Sequence, residues 1–409
     1  MLYYFIYPSS LLKQMSYESY ELSLLKQKIS LVQNVMCDSG IDIWLLFTRD
    51  GTPDPIASLI GLNGMMARTA GIIGADGSKT AIAWRPDAEL LKNSGLYDQV
   101  ISYEDEGIIG RLKDWLNSNK PHRIAVNISE DFGIADGLTA GMKVYLDRAA
   151  GELNASFVSS EDLVITLRAR LLPAEVTHVK EAIRNSEAIL KAASEEFIKA
   201  WKTDRDVYQK ILMKVKDEGL ETAWSEDRCP AITVGRDPPS HMGYHNTTIR
   251  PGDFIRIDFG VKHNGYCSDI QHVYYVGGKP MPRDIDKMFE VASEANDAAI
   301  RVMGAEVPGY VPDEEARHIV LESGYPNYWH GTGHAVGLLV HEIGPRLAPK
   351  DSKDYAAAAK KKLQPGMVMT VEPSVFGESG LCNLEQDVLI TNSGVELLSN
   401  RQEYITIIP

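Results

Sequence analysis

Cysteine is scarce in this 409-residue chain: Cys37, Cys229, Cys267 and Cys382 stand far apart, with no CxxC pair. That spacing argues against a zinc ribbon and against a disulfide framework, and it fits a reducing cytoplasm. Positive charge is in deficit too. A formal net charge of −14 argues against nucleic acid, whose binding needs a cationic surface, and disfavours anionic membranes. No stretch approaches the ~20 consecutive apolar residues of a membrane span. The opening Met-Leu-Tyr-Tyr-Phe-Ile-Tyr has no basic residues ahead of it and stops at Pro8. It reads either as a weak secretory leader or as an extension before a start at Met15. Internal repeats and low-complexity tracts are also missing.

What is present describes an ordinary globular protein: 44% hydrophobic and 24% charged residues, at a length that favours two domains. In the first part, helix-like and strand-like segments alternate. A helix is expected near Glu21 to Met36, with strands at Ile41 to Thr48, Thr69 to Gly74, Lys79 to Trp84, Gln99 to Tyr103 and Arg123 to Ile128. Helices fall around Ala88 to Lys92 and Ile108 to Leu116, so residues 1–167 read as an α/β domain. Residues 168–409 read as an α+β domain. Leu171-Leu172-Pro173 precedes a long amphipathic helix carrying Val176, Val179, Ile183, Leu190 and Phe197. A second helix starts at Thr203, capped through Asp206, and ends near Gly219. Strands at Asp253 to Val261 and Tyr266 to Val276 are joined across Asn264-Gly265, a strong hairpin signal. Helices near Ile285 to Met303 and Asp313 to Ser323 follow, then further strands.

The chemistry concentrates in this second domain. Eight of the ten histidines lie between His241 and His341. Asp258 in IRIDFG and Glu372 in VMTVEPS each sit among apolar neighbours, where a lone carboxylate is costly unless paired, protonated or bound to a cation. Asp258 and Asp269 are eleven residues apart across the expected hairpin, so both can reach one point of the sheet. Glu385 lies in LCNLEQD. Several acids in one pocket require positive charge, and metal ions are the usual supply. Carboxylate-rich ligation with an imidazole suits Mn, Co or Fe at least as well as Zn. His330, His334 and His341 fall within twelve residues. The glycines of HGTGHAVGL make an extended, turning backbone more natural there than a helix. The following His341-Glu342 is not an HExxH site, because Pro345 stands where the second histidine belongs. His245, His263, His272 and His318 have an equally good reading as surface or packing residues.

Together, IDFG followed by GYCSDI, HGTGHAVGL followed by HE, VEPS and LEQDVLIT resemble the pita-bread metallopeptidases. That family includes methionine aminopeptidase, aminopeptidase P, prolidase and the non-peptidase creatinase. The resemblance is close from Leu167 onward and is limited, before it, to a creatinase-like N-terminal α/β domain. It implies a pita-bread catalytic domain with two divalent metal ions (Mn, Co, Fe or Zn). Asp258, Asp269, His334, Glu372 and Glu385 are the ligands it implies, Asp269 and Glu385 bridging both ions. It implies catalytic roles for His241, His341 and Glu372, with His330 lining the substrate pocket and His245 the rival for His241. The expected activity is hydrolysis of the N-terminal bond of short peptides with proline second, by a cytoplasmic homodimer that needs neither nucleic acid nor membrane. An aminopeptidase of other specificity, or a silent binding relative, is the alternative. Two departures stand beside the implied ligands. Asn383 occupies a position where relatives often carry arginine, and Gln271-His272 stands within a stretch that relatives usually read as SDITRTF.

Overall fold

The structure, a computed structural model, describes residues 14–151, 153–238 and 243–409, with side chains from residue 22 onward. The chain forms two compact units, Met1–Leu167 and Arg168–Pro409.

The first unit opens with the helix Gln14–Ser39, longer at both ends than the sequence pattern indicates. Nothing breaks it before Gly40, whose φ of +63° turns the chain as Ile41 N donates back to Met36 O at 2.9 Å. A six-stranded mixed sheet follows, in spatial order Gln99–Tyr103, Lys79–Trp84, Thr69–Gly74, Ile43–Thr48, Arg123–Val126 and Ser156–Ser159. The strand Ile43–Thr48 is buried at every position. Its Ile43, Leu45 and Phe47 pack with Ile72, Ile82 and Ile124 against Leu112 and Leu116 of the helix Ile108–Asn119. Met142 and Leu146 of the helix Ala140–Ala150 complete that layer. This helix and the edge strand Ser156–Ser159 lie beyond the sequence reading; the strand is short and only half-buried, so it leaves no apolar run.

In the second unit the helix Pro173–Ala192 begins where Leu172 N donates to Glu175 Oε2 at 2.7 Å, with proline in the first turn, where no N–H is required. The expected continuation to Phe197 is corrected by a π-type turn over Ala193–Phe197. The helix Asp204–Asp217 carries the anticipated cap: Thr203 N donates to Asp206 Oδ2 at 2.8 Å and Asp206 N to Thr203 Oγ1 at 3.1 Å. Ile189, Leu190, Val207 and Ile211 of these two helices cover Ile232, Ile255 and Ile257 of a four-stranded sheet. That sheet runs Thr406–Ile408, Ile270–Val276, Phe254–Phe259, Ala231–Val234. A five-stranded sheet runs Arg346–Leu347, Gly333–Val336, Val368–Val371, Gln386–Thr391, Gly394–Leu397.

Two glycines fix where the functional side chains emerge. The strand pair Phe254–Phe259 and Ile270–Val276 continues past a bend as Val261–His263 and Tyr266–Cys267, closed by Asn264 and Gly265 at φ +49° and +85°. At the bend a Cβ on Gly260 would stand 2.0 Å from Ser268 O, so no side chain fits. Ser268 and Asp269 step off the ladder there, which aims Asp269 inward. Likewise a Cβ on Gly333 would lie 2.0 Å from Thr370 O; the close approach lets His334 N donate to Thr370 Oγ1 at 3.0 Å. Gly260→Ala should therefore cost about 1–3 kcal/mol in urea unfolding through local overpacking. A stability equal to the parent protein would contradict this account of the bend.

Candidate metal centre

Asp269, His334 and Glu385 are buried, and each offers one ligand atom within 4.8 Å of the others. They arrive from both sheets. Asp269 immediately precedes the strand Ile270–Val276, His334 lies in Gly333–Val336, and Glu385 immediately precedes Gln386–Thr391. The two sheets are tied at this point by Asp269 N donating to Asp387 Oδ2 at 3.1 Å. Glu372 follows the strand Val368–Val371 and is held by its own N–H to Thr332 O at 2.7 Å. Its Oε1 lies 3.5 Å from His334 Nε2, while Asp269 Oδ2 lies 3.6 Å from the same nitrogen. Asp258, half-buried, pairs across the strands with Gln271 and Ala231, and its charge raises the pKa values of Asp269, Glu372 and Glu385.

The electrostatics of this cluster are unfavourable as it stands. Burial, and then the neighbouring carboxylates, pushes Asp269 and Glu385 well above the usual carboxylate range, and burial first among several causes raises Glu372. Burial also holds His334 well below its ordinary value, helped by His341 and Arg346. A neutral imidazole whose Nδ1 lies 3.2 Å from Ala335 O donates there and turns the Nε2 lone pair toward Asp269 and Glu372. Lone pairs therefore face lone pairs, and Asp269 Oδ1 and Glu385 Oε1 are buried with no hydrogen-bond partner. Divalent cations fit this arrangement: the donors are hard carboxylate oxygens with one imidazole nitrogen, and a shared positive charge would satisfy the orphaned atoms.

The remaining histidines divide. His341 is exposed and stands edge-on to His334, with ring centroids 4.4 Å apart. It also borders an open cleft of ≈640 Å³ lined by Trp224, Lys262 and Leu339. Its loop is pinned by the neighbouring Glu342, buried and paired with Arg168 through two contacts of 2.6 and 2.7 Å. Glu342 Oε1 also accepts from Ile343 N at 2.8 Å. His330 is turned toward Ser374 Oγ through Nε2, and Ser374 Oγ in turn accepts from Asn383 Nδ2. His241 lies outside the described residues. Its rival His245 is half-buried, and its backbone N donates to Asp204 Oδ2 at 2.7 Å.

Some contributors escaped the sequence reading. Arg317 pairs with the buried Asp313 and donates to Tyr328 O at 2.6 Å, while Asp313 Oδ1 accepts from Thr332 Oγ1 at 2.7 Å. This pair on the helix Tyr310–Glu322 shapes the segment that carries His330, and nothing in sequence spacing joins the two. Arg346, on the strand opposite His334, is a half-buried cation whose charge lowers the pKa of Glu372. Arg256 did leave a signal: two residues before Asp258 on one strand, it belongs to the same face.

A cluster of carboxylates and one imidazole converging from two sheets has the composition of a divalent-metal centre. The sequence pattern of Metallopeptidase family M24 matches residues 177–392, over half of the chain, and the chain belongs to that family. It is 29% identical over 250 residues to the Xaa-Pro dipeptidase of Pyrococcus furiosus, covering 60% of this chain and 67% of that one. A Mycoplasma pneumoniae protein, named provisionally as an Xaa-Pro aminopeptidase, is 30% identical over 55% of this chain, which spans only 60% of that relative's length. Among solved structures, the Xaa-Pro dipeptidase from Bacillus anthracis matches with a TM-score of 0.70 at 23% identity, covering 94% of this chain and 99% of that one. The prolidase from Pyrococcus horikoshii matches with a TM-score of 0.65 at 25% identity, covering 92% and 100%. These likenesses establish the two-domain pita-bread fold.

The raised carboxyls have a measurable consequence in metal-free protein. Burial pushes Asp387 from 3.8 to about 8, and Asp269, Glu372 and Glu385 move the same way. The folded state then holds protons that the unfolded chain has released, so stability falls as pH rises through the folded values. Half-buried His272 and His330, pushed by desolvation from 6.5 to about 4, act oppositely, but only below 6.5. Between pH 6.5 and about 8 the carboxyls dominate. The melting temperature of chelator-treated protein should fall across that window, and Asp387→Asn should flatten the fall. A rise would contradict the reading.

Proposed function

We propose that the chain hydrolyses the N-terminal peptide bond of short peptides, with proline in the second position preferred. Two divalent ions, Mn or Co for choice, would be held by Asp258, Asp269, His334, Glu372 and Glu385. Asp269 and Glu385 each keep one buried oxygen without a partner, an oxygen that a cation would satisfy. The observation that carries the reading is the opposition of lone pairs on His334, Asp269 and Glu372 at 3.5–3.6 Å, which a cation relieves. Bound there, such ions supply Lewis-acid polarisation of the scissile carbonyl and acidification of the attacking water.

The chain's own groups account for the rest. Glu372 would be the proton carrier: its carboxylate, beside the proposed ions, would accept the water's proton and deliver it to the leaving nitrogen. With proline after the bond, that nitrogen belongs to a tertiary amide and must be protonated to depart. His341, bordering the open cleft, would donate to the developing oxyanion. His330 would line the substrate pocket and His241 would contact substrate. Residues 1–167 would form the creatinase-like N-terminal domain and residues 168–409 the catalytic one. A homodimer and a cytoplasmic setting belong to the same reading. The four described cysteines are free of disulfides, and no described helix is long and apolar enough to cross a membrane.

The test is to incubate Mn²⁺-reconstituted protein with Ala-Pro, Ala-Pro-Ala and Met-Ala-Ser side by side. Cleavage of a proline peptide is expected, with chelators abolishing it and Glu372→Gln lowering kcat by at least ~10²–10⁴-fold. Cleavage of Ala-Pro alone identifies a dipeptidase, and release of alanine from the tripeptide an aminopeptidase. Preference for Met-Ala-Ser overturns the proline specificity, and no cleavage by metal-loaded protein overturns the peptidase reading for these substrates.

A further inference from the structure

Gln271 is 3% exposed and makes three side-chain contacts, all within the centre. Its Nε2 donates to Glu385 Oε2 at 2.7 Å and to Glu372 Oε2 at 3.2 Å, so a single amide spans two carboxylates that reach it from different strands. Its Oε1 accepts from Arg256 Nη1 at 2.8 Å. Arg256, on the neighbouring strand and itself buried, thereby sets the direction of the amide. Flipping the amide would turn NH₂ toward the guanidinium and the carbonyl oxygen toward two carboxylates, repulsive at both ends.

The consequence is directional. Each glutamate has one oxygen occupied by Gln271, and its other oxygen is left for the shared space. Glu385 Oε1 is buried without a partner, and Glu372 Oε1 faces His334 Nε2 at 3.5 Å. Without Gln271 either carboxylate could rotate to spread its charge away from its neighbours, and the two free oxygens would no longer converge.

We propose that Gln271, oriented by Arg256, is a positioning residue that aligns Glu372 and Glu385 for divalent-cation binding. This rests on the metal-dependent reading above. Asn383, beside the same centre, takes no part: its Nδ2 is directed to Ser374 Oγ and to Glu372 O.

The test is equilibrium titration of chelator-stripped full-length protein with Mn²⁺ alone, beside a thermal melt of each metal-free variant. Gln271→Leu should weaken Mn²⁺ binding by ~10–100-fold while leaving the metal-free melting temperature close to that of the parent. Arg256→Met should weaken it less, and Arg256→Lys, which can still donate to Oε1, should restore most of the affinity. If Arg256 orients Gln271, the double variant binds no more weakly than Gln271→Leu alone. Should Gln271→Leu fail to fold, Gln271→Asn, one methylene too short to span both carboxylates, carries the same expectation. Unchanged Mn²⁺ affinity in the folded Gln271 variants overturns the positioning role and leaves the peptidase proposal standing. Failure of the parent protein to bind Mn²⁺ overturns the metal reading, and the positioning role with it.

Discussion

The structure of the second unit turns on a buried confrontation of lone pairs. Asp269 and Glu372 bring carboxylate oxygens within 3.6 Å of His334 Nε2, and Asp269 and Glu385 each keep one buried oxygen unsatisfied. In the metal-free protein such a cluster keeps protons that exposed carboxyls would have released, because burial penalises every charged form. A divalent cation would compensate the charge of these groups together. The surrounding devices then become intelligible. Gly260 and Gly333 admit backbone approaches of 2.0 Å to an added Cβ, the Asp387 carboxylate fastens Asp269 N, and Glu342 anchors the loop of His341 to Arg168. Each spends local stability on the placement of one functional side chain.

Three of the centre's acids stand at strand termini. Asp269 and Glu385 precede strands, and Glu372 follows one. Residues at such positions are held by the ladder on one side while their side chains are free to converge on the other. The layers of helix behind the sheets, Ile189 and Leu190 against Ile255 and Ile257 among them, keep the strands fixed. This division between a rigid apolar support and a strained polar centre accounts for the clustering of unpartnered polar atoms beside it: Gln386 Oε1, Asn383 Oδ1 and Asp387 Oδ1.

Much of this was legible in the sequence because the signals are local. Asn264-Gly265 fixed the hairpin and with it the register that sets Asp258 opposite Gln271. Thr203 and Asp206 marked a helix start, and glycine spacing around His334 argued for extended backbone, which is a strand. The less legible features depend on partners distant in sequence. Asp313 and Arg317 organise residues 327–332 from a helix whose amphipathic pattern announces only packing. Arg168 meets Glu342 across 174 residues. The helix after Pro173 was expected to run on to Phe197, but periodicity could not register the π-type turn, which preserves an apolar face while changing the backbone. Gln271 stood out as a departure, yet only the tertiary structure reveals that it bridges two glutamates.

The central claim is that cations take the place of protons in this cluster. It is tested most directly by calorimetric titration with Mn²⁺ at pH 7 in buffers of different ionisation enthalpy, which counts the protons displaced on binding. The account predicts saturable binding accompanied by net proton release, because the raised carboxyls must ionise to serve as ligands. Absence of binding, or binding that displaces no protons, would contradict it.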